Sequence, residues 1–458
     1  MNGPVVNDTV TIADAYPRRV FQVLWGFERF GGLERHLAEL SIALAAHGTE
    51  VLVFTETGAD PGNVYVQQLR AAGIVVSGAG TAATFAERLG RMPLGSSRAV
   101  ISSAIRVLRR GVVSLRRQRT PRSQLQAATP ATVHRIDDDQ AVARILASRH
   151  HHPVTLDLFA RLDAAIAEAR PDVVHVHGTQ LRQSWVVAWA AARRLPTMYT
   201  EQVTIDDWGG ATDATAVATL IADAGVIACV SDRARESAVR ALHGAREVAV
   251  VRQPVPSGSA APAIRTDGPL HLLCIARLER YKGIDVLLHA AAMARNAGVD
   301  FRLQIAGDGS EQRALMTLAQ TLGLVDVAFL GALAPAAVVA ALHAADLMVL
   351  PSRGEGLPVS VVEAMANGRP VLATRAGGTG EVVQDGVTGL LVDSERPAEL
   401  AAALAQLAGD RPGLQRMADA ARRAWEVGGW SPDAVRIQVT ELYREAAAKL
   451  VGASGASR

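Results

Sequence analysis

Along the chain, short runs of consecutive apolar residues alternate with longer stretches whose apolar positions recur at helical spacing. The first run, RVFQVLWGF, spans Arg19 to Phe27, and the pair Gly31-Gly32 follows it. From about Leu33 to Ala46, Leu37, Leu40, Ile42 and Leu44 fall on or near one side, which predicts an amphipathic helix. His47-Gly48 stops that helix, and EVLVFTE begins a second strand. GIVVSG, DVVHVHG, PTMYTEQ and GVIACVS read as further strands, with helical patterns between most of them. Strands that are apolar throughout need cover on both faces, and strands that alternate with helices form parallel sheets.

The same grammar returns after a stretch rich in Pro, Ser, Gly and Ala, from Pro254 to Pro269, that reads as a linker. LHLLCIARL, FRLQIAGDG, VAFLG, DLMVLPS, PVLAT and GLLV are strands, again with helical patterns between most of them. At 458 residues the chain is too long for one core. The expectation is α/β throughout: two doubly wound Rossmann-like domains, over 18–255 and 268–428, facing across a cleft. A last helix is expected over 432–451, with Asp433 in its first turn. Whether it crosses back to the first domain is not readable from periodicity. Ligands of such sheets bind beyond the carboxyl ends of the strands.

Composition narrows the function classes. The chain is 49% hydrophobic and 20% charged, with a formal net charge of +2, so no whole-molecule attraction to nucleic acid is expected. Cys229 and Cys274 each sit in an apolar run and read as buried thiols of a reducing compartment. The N-terminus lacks the basic-then-apolar pattern of a signal peptide. No apolar run reaches the roughly 18 residues that would suggest a membrane span. A cytoplasmic protein is the expectation. No G-x-G-x-x-G follows any strand, which gives no support to a redox dinucleotide site.

Chemistry gathers at the expected strand ends of the second half. Arg277 ends its first strand, and Lys282, one of only two lysines in the chain, precedes the glycine that opens the next helix. Two cations at that place, with a helix N-terminus beside them, can bracket a diphosphate; the plainer alternative is a solvated loop. After DLMVLPS, the amides of Gly356 and Leu357 can hold an anion. Glu355, expected to be solvated there, would repel that anion unless it accepts hydrogen bonds from neutral hydroxyls. Glu363 lies in the following helix among alanine, valine and methionine. If buried it needs donors, and a ribose diol offers two; otherwise it is part of a solvated face. The Gly307-Asp308-Gly309 turn is equally consistent with a plain loop.

These residues together resemble the retaining GT-B nucleotide-sugar glycosyltransferases of family four, the glycosyl transferases group 1. The resemblance rests on the E-x(7)-E pair Glu355 and Glu363, on RLERYKG with Arg277 and Lys282, and on AGDG, FLG and PVLATRAGGTGEVVQDGVTGLLV. GGLER and DVVHVHG also match. It covers about 20 to 450 and is strongest from about 270 to 395. It implies transfer of a sugar, with retention, from a nucleoside diphosphate donor to a hydroxyl acceptor (glycan, lipid or small molecule), without a metal or other cofactor. It implies catalytic roles for Arg277 and Lys282 at the diphosphate, Glu355 at the sugar hydroxyls and His177 at the donor sugar. Gly31, Gly32, Gly307, Gly331, Gly356, Leu357 and Glu363 would line the donor site, with Glu363 at the ribose. His175 reads as a core histidine. Where family members often carry a histidine after the strand ending YTEQVTIDD, this chain has Glu201, Asp206 and Asp207. A two-domain nucleotide-sugar epimerase and a non-catalytic sugar-nucleotide-binding protein share these features and stand as alternatives.

Three further segments carry weaker signals. Asp137-Asp138-Asp139 and His150-His151-His152 read as solvated runs rather than metal sites. No Asp or Glu occurs between Arg88 and Arg135. Wound as a helix, 98–122 puts Arg98, Arg106, Arg109, Arg110, Arg116 and Arg117 opposite Val100, Ile101, Ile105, Leu108, Val112 and Leu115. Such a helix either packs on its own domain or lies on the inner face of an anionic membrane.

Overall fold

The structure, a computed structural model, describes residues 17–27, 31–56, 59–78, 154–178, 181–203, 217–258 and 261–455. The basic segment 98–122, both solvated runs, Asp206 and Asp207 lie outside these residues.

The apolar runs form two parallel sheets. The first holds β1 (Arg19–Leu24), β2 (Glu50–Thr55), β3 (Val75–Gly78), β4 (Val173–Gly178), β5 (Thr197–Glu201), β6 (Val226–Cys229) and β7 (Val248–Val250). Its order is β3-β2-β1-β4-β5-β6-β7. The second holds β8 (Leu270–Ile275), β9 (Phe301–Ala306), β10 (Val327–Gly331), β11 (Leu347–Leu350), β12 (Val371–Thr374) and β13 (Gly389–Val392), in the order β10-β9-β8-β11-β12-β13. In each sheet the order reverses beside the first strand, between β1 and β4 and between β8 and β11. A crevice opens at such a switch point. β7 is the strand that the apolar pattern did not separate: it has only three residues and runs directly into the linker.

Both faces of each sheet are covered, which is why the strands read as unbroken apolar runs. Leu272, Cys274, Leu303 and Leu347 pack with the helices Ile284–Asn296 and Pro397–Gly409. Leu273, Met348, Leu350 and Ala373 pack on the other side with Val361, Val362 and Met365. Cys229 and Cys274 are buried free thiols.

The final helix, Pro432–Gly455, completes the first domain. Val435, Val439, Tyr443 and Ala446 enter the core of the first sheet beside Leu37, Leu40 and Val173. The Tyr443 hydroxyl is hydrogen-bonded to His175 Nδ1 at 2.8 Å, and His175 Nε2 to Thr200 Oγ1 at 2.8 Å. His175 thus stands in the core, as does His177 beside it, the two ring centroids 4.0 Å apart. His36, from the helix after β1, meets the edge of His177 with centroids 5.4 Å apart. Neither His36 nitrogen has a hydrogen-bond partner among the described residues.

Burial holds these three imidazoles neutral: His36 is lowered to about 4, and His175 and His177 well below the ordinary value, each next by the neighbouring rings. An unfolded histidine takes up its proton near pH 6.5, so below that pH the unfolded chain binds more protons than the folded one. The histidine contribution to stability is then complete above about pH 6.5 and is lost as pH falls toward 4, on the order of 1.4 kcal/mol per histidine and pH unit, opposed in part by one buried carboxyl, Glu201, raised to about 8. Urea unfolding at pH 5 should show a clearly lower midpoint than at pH 7.5. His36→Leu, which removes two buried nitrogens without partners, should cost little at pH 7.5 and flatten the acid loss.

Candidate functional site

The carboxyl ends of the two sheets face each other across a cleft of about 910 Å³. Its walls combine Gly31 and Gly32 of the first domain with Arg277, Lys282, Glu355 and Glu363 of the second.

Each side chain has a local reason for its place. A 3₁₀ turn, Arg280–Lys282, follows β8 and ends at Gly283, whose φ of +65° is left-handed. A Cβ at Gly283 would collide with the Pro351 carbonyl, so the turn can press against the end of β11 only with glycine there. That contact brings Lys282 to Glu355: Nζ donates to Oε1 at 2.6 Å. Ser352 Oγ donates to the same oxygen at 2.6 Å. Behind Glu355 lies Gly377, with φ of +53° and its α-carbon against the Glu355 carbonyl. Glu355 is therefore not the solvated carboxylate that its loop position suggested; only 9% of the residue is exposed. Lys282 is likewise mostly covered, at 15% of its side chain. Arg277 is exposed, as expected, and donates from Nη2 to the Tyr281 hydroxyl at 2.6 Å. Arg353, a further cation of the cleft wall, is committed elsewhere: its Nη1 and Nη2 donate to the two Asp285 carboxyl oxygens at 2.8 Å each.

Glu363 is buried in the helix Val359–Ala366 and pairs with Arg35, which reaches it from the first domain. Sequence reasoning did not single out Arg35. The available signal was a cation one turn into a helix that opens on a glycine pair.

Gly307, Gly356 and Leu357 also line the cleft. Gly331 does not: it ends β10, while the next two residues, Ala332 and Leu333, form the wall. His177 departs from expectation too. It has no exposed surface, does not line the cleft, and its Nε2 is hydrogen-bonded to Gln22 Oε1 at 2.8 Å. As the i+2 neighbour of His175 it shares that residue's side of β4, which faces the core.

At the end of β5, Glu201 is fully buried. Tyr199 donates to its Oε2 at 2.7 Å, and the amides of Gln202 and Val203 donate to Oε1 at 2.9 and 3.2 Å. Burial outweighs these bonds and pushes its carboxyl up to about 8. Glu201 does not line the cleft, but the Gln202 and Val203 that it holds do. Gln253 donates to Gln202 Oε1 at 2.8 Å beside them. A second contact between the domains lies nearby. Glu381 accepts the free amides of Asp232 and Arg233, at 2.8 and 2.9 Å, and so caps a first-domain helix, Asp232–Ala241, from the second domain. Among the described residues, no cluster of three or more His, Cys, Asp or Glu is placed to hold a metal ion. No helix among them is long and apolar enough to cross a membrane.

Two Rossmann-like sheets whose carboxyl ends meet at a cleft are the GT-B arrangement. Solved structures share the fold: Anabaena HepE in complex with UDP and glucose has a TM-score of 0.66 at 17% identity, covering 93% of this chain and 99% of that one. A TarM mutant of S. aureus in complex with fondaparinux, α-GlcNAc-glycerol and UDP has a TM-score of 0.68 at 12% identity over 93% and 99%. Residues 261–424 match the family model of the glycosyl transferases group 1. Glycogen synthase of Mycobacterium tuberculosis is 29% identical over 88% of this chain and 89% of its own length. D-inositol 3-phosphate glycosyltransferase of Nocardia farcinica is 42% identical over 31% of this chain and 34% of its own.

Lys282 and Glu355 form a largely covered pair, so removing one charge strands the other. Lys282→Met should destabilise the second domain by about 2 kcal/mol, less than the full cost of a buried unpaired ion because the cleft admits water. Adding Glu355→Gln should return part of that loss. Denaturant midpoints of the two variants check both statements.

Proposed function

We propose that the chain is a retaining glycosyltransferase that moves a sugar from a nucleoside diphosphate donor to a hydroxyl acceptor. The observation that carries this reading is the grouping of Arg277, Lys282 and Glu355 at the ends of β8 and β11, opposite Gly31-Gly32 across the cleft. In this reading Arg277, Lys282 and the amides of Gly356 and Leu357 take the diphosphate. Departure of the sugar leaves negative charge on the diphosphate, and preorganised cations stabilise it as it develops. Glu355 accepts from the sugar hydroxyls, and its bond to Lys282 keeps it fixed. Glu363 accepts from the ribose.

Retention through a covalent intermediate needs a free carboxylate beneath the sugar ring. Among the described residues, the carboxylates lining the cleft are Asp308, Glu355 and Glu363, and both glutamates are held by cations. Neither glutamate is therefore free to act as the nucleophile, which favours attack from the face the diphosphate leaves, with the departing phosphate taking the acceptor's proton; Asp308 is the carboxylate whose removal tests the covalent alternative. HepE in complex with UDP-glucose makes UDP-sugars the first donors to test.

Incubation with UDP-sugars and a panel of hydroxyl acceptors should give a glycoside of unchanged anomeric configuration, read by NMR. Inversion, or turnover that never needs an acceptor, would overturn the reading. Arg277→Ala should lower kcat by roughly a hundredfold, the scale of losing one preorganised charge-stabilising group, with an unchanged denaturation midpoint. Excess chelator should leave the rate intact, because protein cations face the diphosphate; loss restored by manganese or magnesium would refute that arrangement.

A further inference from the structure

Arg35 and Glu363 come from different domains yet meet in the cleft, with 12% and 9% of their side chains exposed. Each stands about one turn into its helix, Gly32–Ala46 and Val359–Ala366. Gly32, which opens the first of these helices, lies against Val359 at the start of the second: a Cβ there would sit 3.4 Å from Val359 Cγ2. The contact runs from Arg35 Nη1 to Glu363 Oε1. A covered carboxylate without this guanidinium would lose its charge or turn toward water.

We propose that Arg35 is a positioning residue: it holds Glu363 fixed and aimed at the donor's ribose, and so links donor binding to closing of the cleft. This rests on the donor reading given above. In that reading the second domain supplies the groups that touch ribose and diphosphate. The first domain contributes by setting the acceptor geometry of Glu363, so the ribose site is complete only when the domains are together. The Glu381 cap is another charged contact between the domains. With that cap kept, loss of the Arg35 pair removes one tie across the cleft and leaves the other in place.

The test uses the full chain, UDP and pyrophosphate as calorimetric probes, and small-angle scattering without ligand. Arg35→Gln and Glu363→Gln should each raise the UDP dissociation constant roughly tenfold, the scale of one lost hydrogen bond to a charged group. The double variant should be no weaker than the weaker single one, because both remove the same contact. Pyrophosphate, which has no ribose, should change by less than about threefold, since this pair is not its ligand. Arg35→Lys should recover part of the UDP affinity. In steady state the loss should fall on donor KM more than on kcat. Without ligand, Arg35→Gln should increase the radius of gyration. Unchanged UDP affinity, additive losses, or an equal loss for pyrophosphate would overturn the proposal. If the wild type bound no nucleoside diphosphate, the donor reading itself would fail. The scattering arm, which needs no ligand, would still uphold or overturn the closing role of the pair.

Discussion

All strands of both sheets run parallel, and the rest of the molecule depends on that constraint. A parallel strand can return only through a crossover, so each strand's carboxyl end leads into a loop and then a helix N-terminus on one edge of the sheet. That edge collects unsatisfied amides, glycine turns and the residues that exploit them. Two such edges set face to face make the cleft without any insertion devoted to it. The sequence spends its unusual residues there: left-handed Gly283 and Gly377, and the sparse lysine.

Within that cleft, charge is arranged as pairs. Lys282 serves Glu355, Arg35 serves Glu363, and Arg353 serves Asp285. A bare carboxylate in so covered a place would neutralise, and a bare cation would recruit whatever anion is at hand. Pairing keeps both forms charged while fixing their geometry. Arg277, turned to Tyr281, is the more exposed of the two cations assigned to the diphosphate.

The strands were legible because cover on both faces makes them apolar throughout; that is a local property. β7 was not, since three residues beside a linker carry too little pattern. The cleft glycines and the cations at the end of β8 were legible because turn chemistry is also local. Burial of Glu355 was not: it depends on Lys282, 73 positions away, seated against Pro351. His177 misled for a similar reason. Its alternation with His175 was visible, but the partner that marks that side as core, Tyr443, lies 268 positions beyond His175. Arg35 had a local signal, yet its meaning needs the other domain.

The final helix bears on how the chain comes to be folded. The first sheet is complete by Val250, but part of its cover, including Val435, Val439 and Tyr443, belongs to a stretch made only after the whole second domain. During synthesis the second domain can close on itself while the first still shows bare apolar surface around Leu37, Leu40 and Val173. The domain whose strands emerge first is therefore finished last. Until that helix is made, the first domain is the part of the molecule with the most to gain from a chaperone.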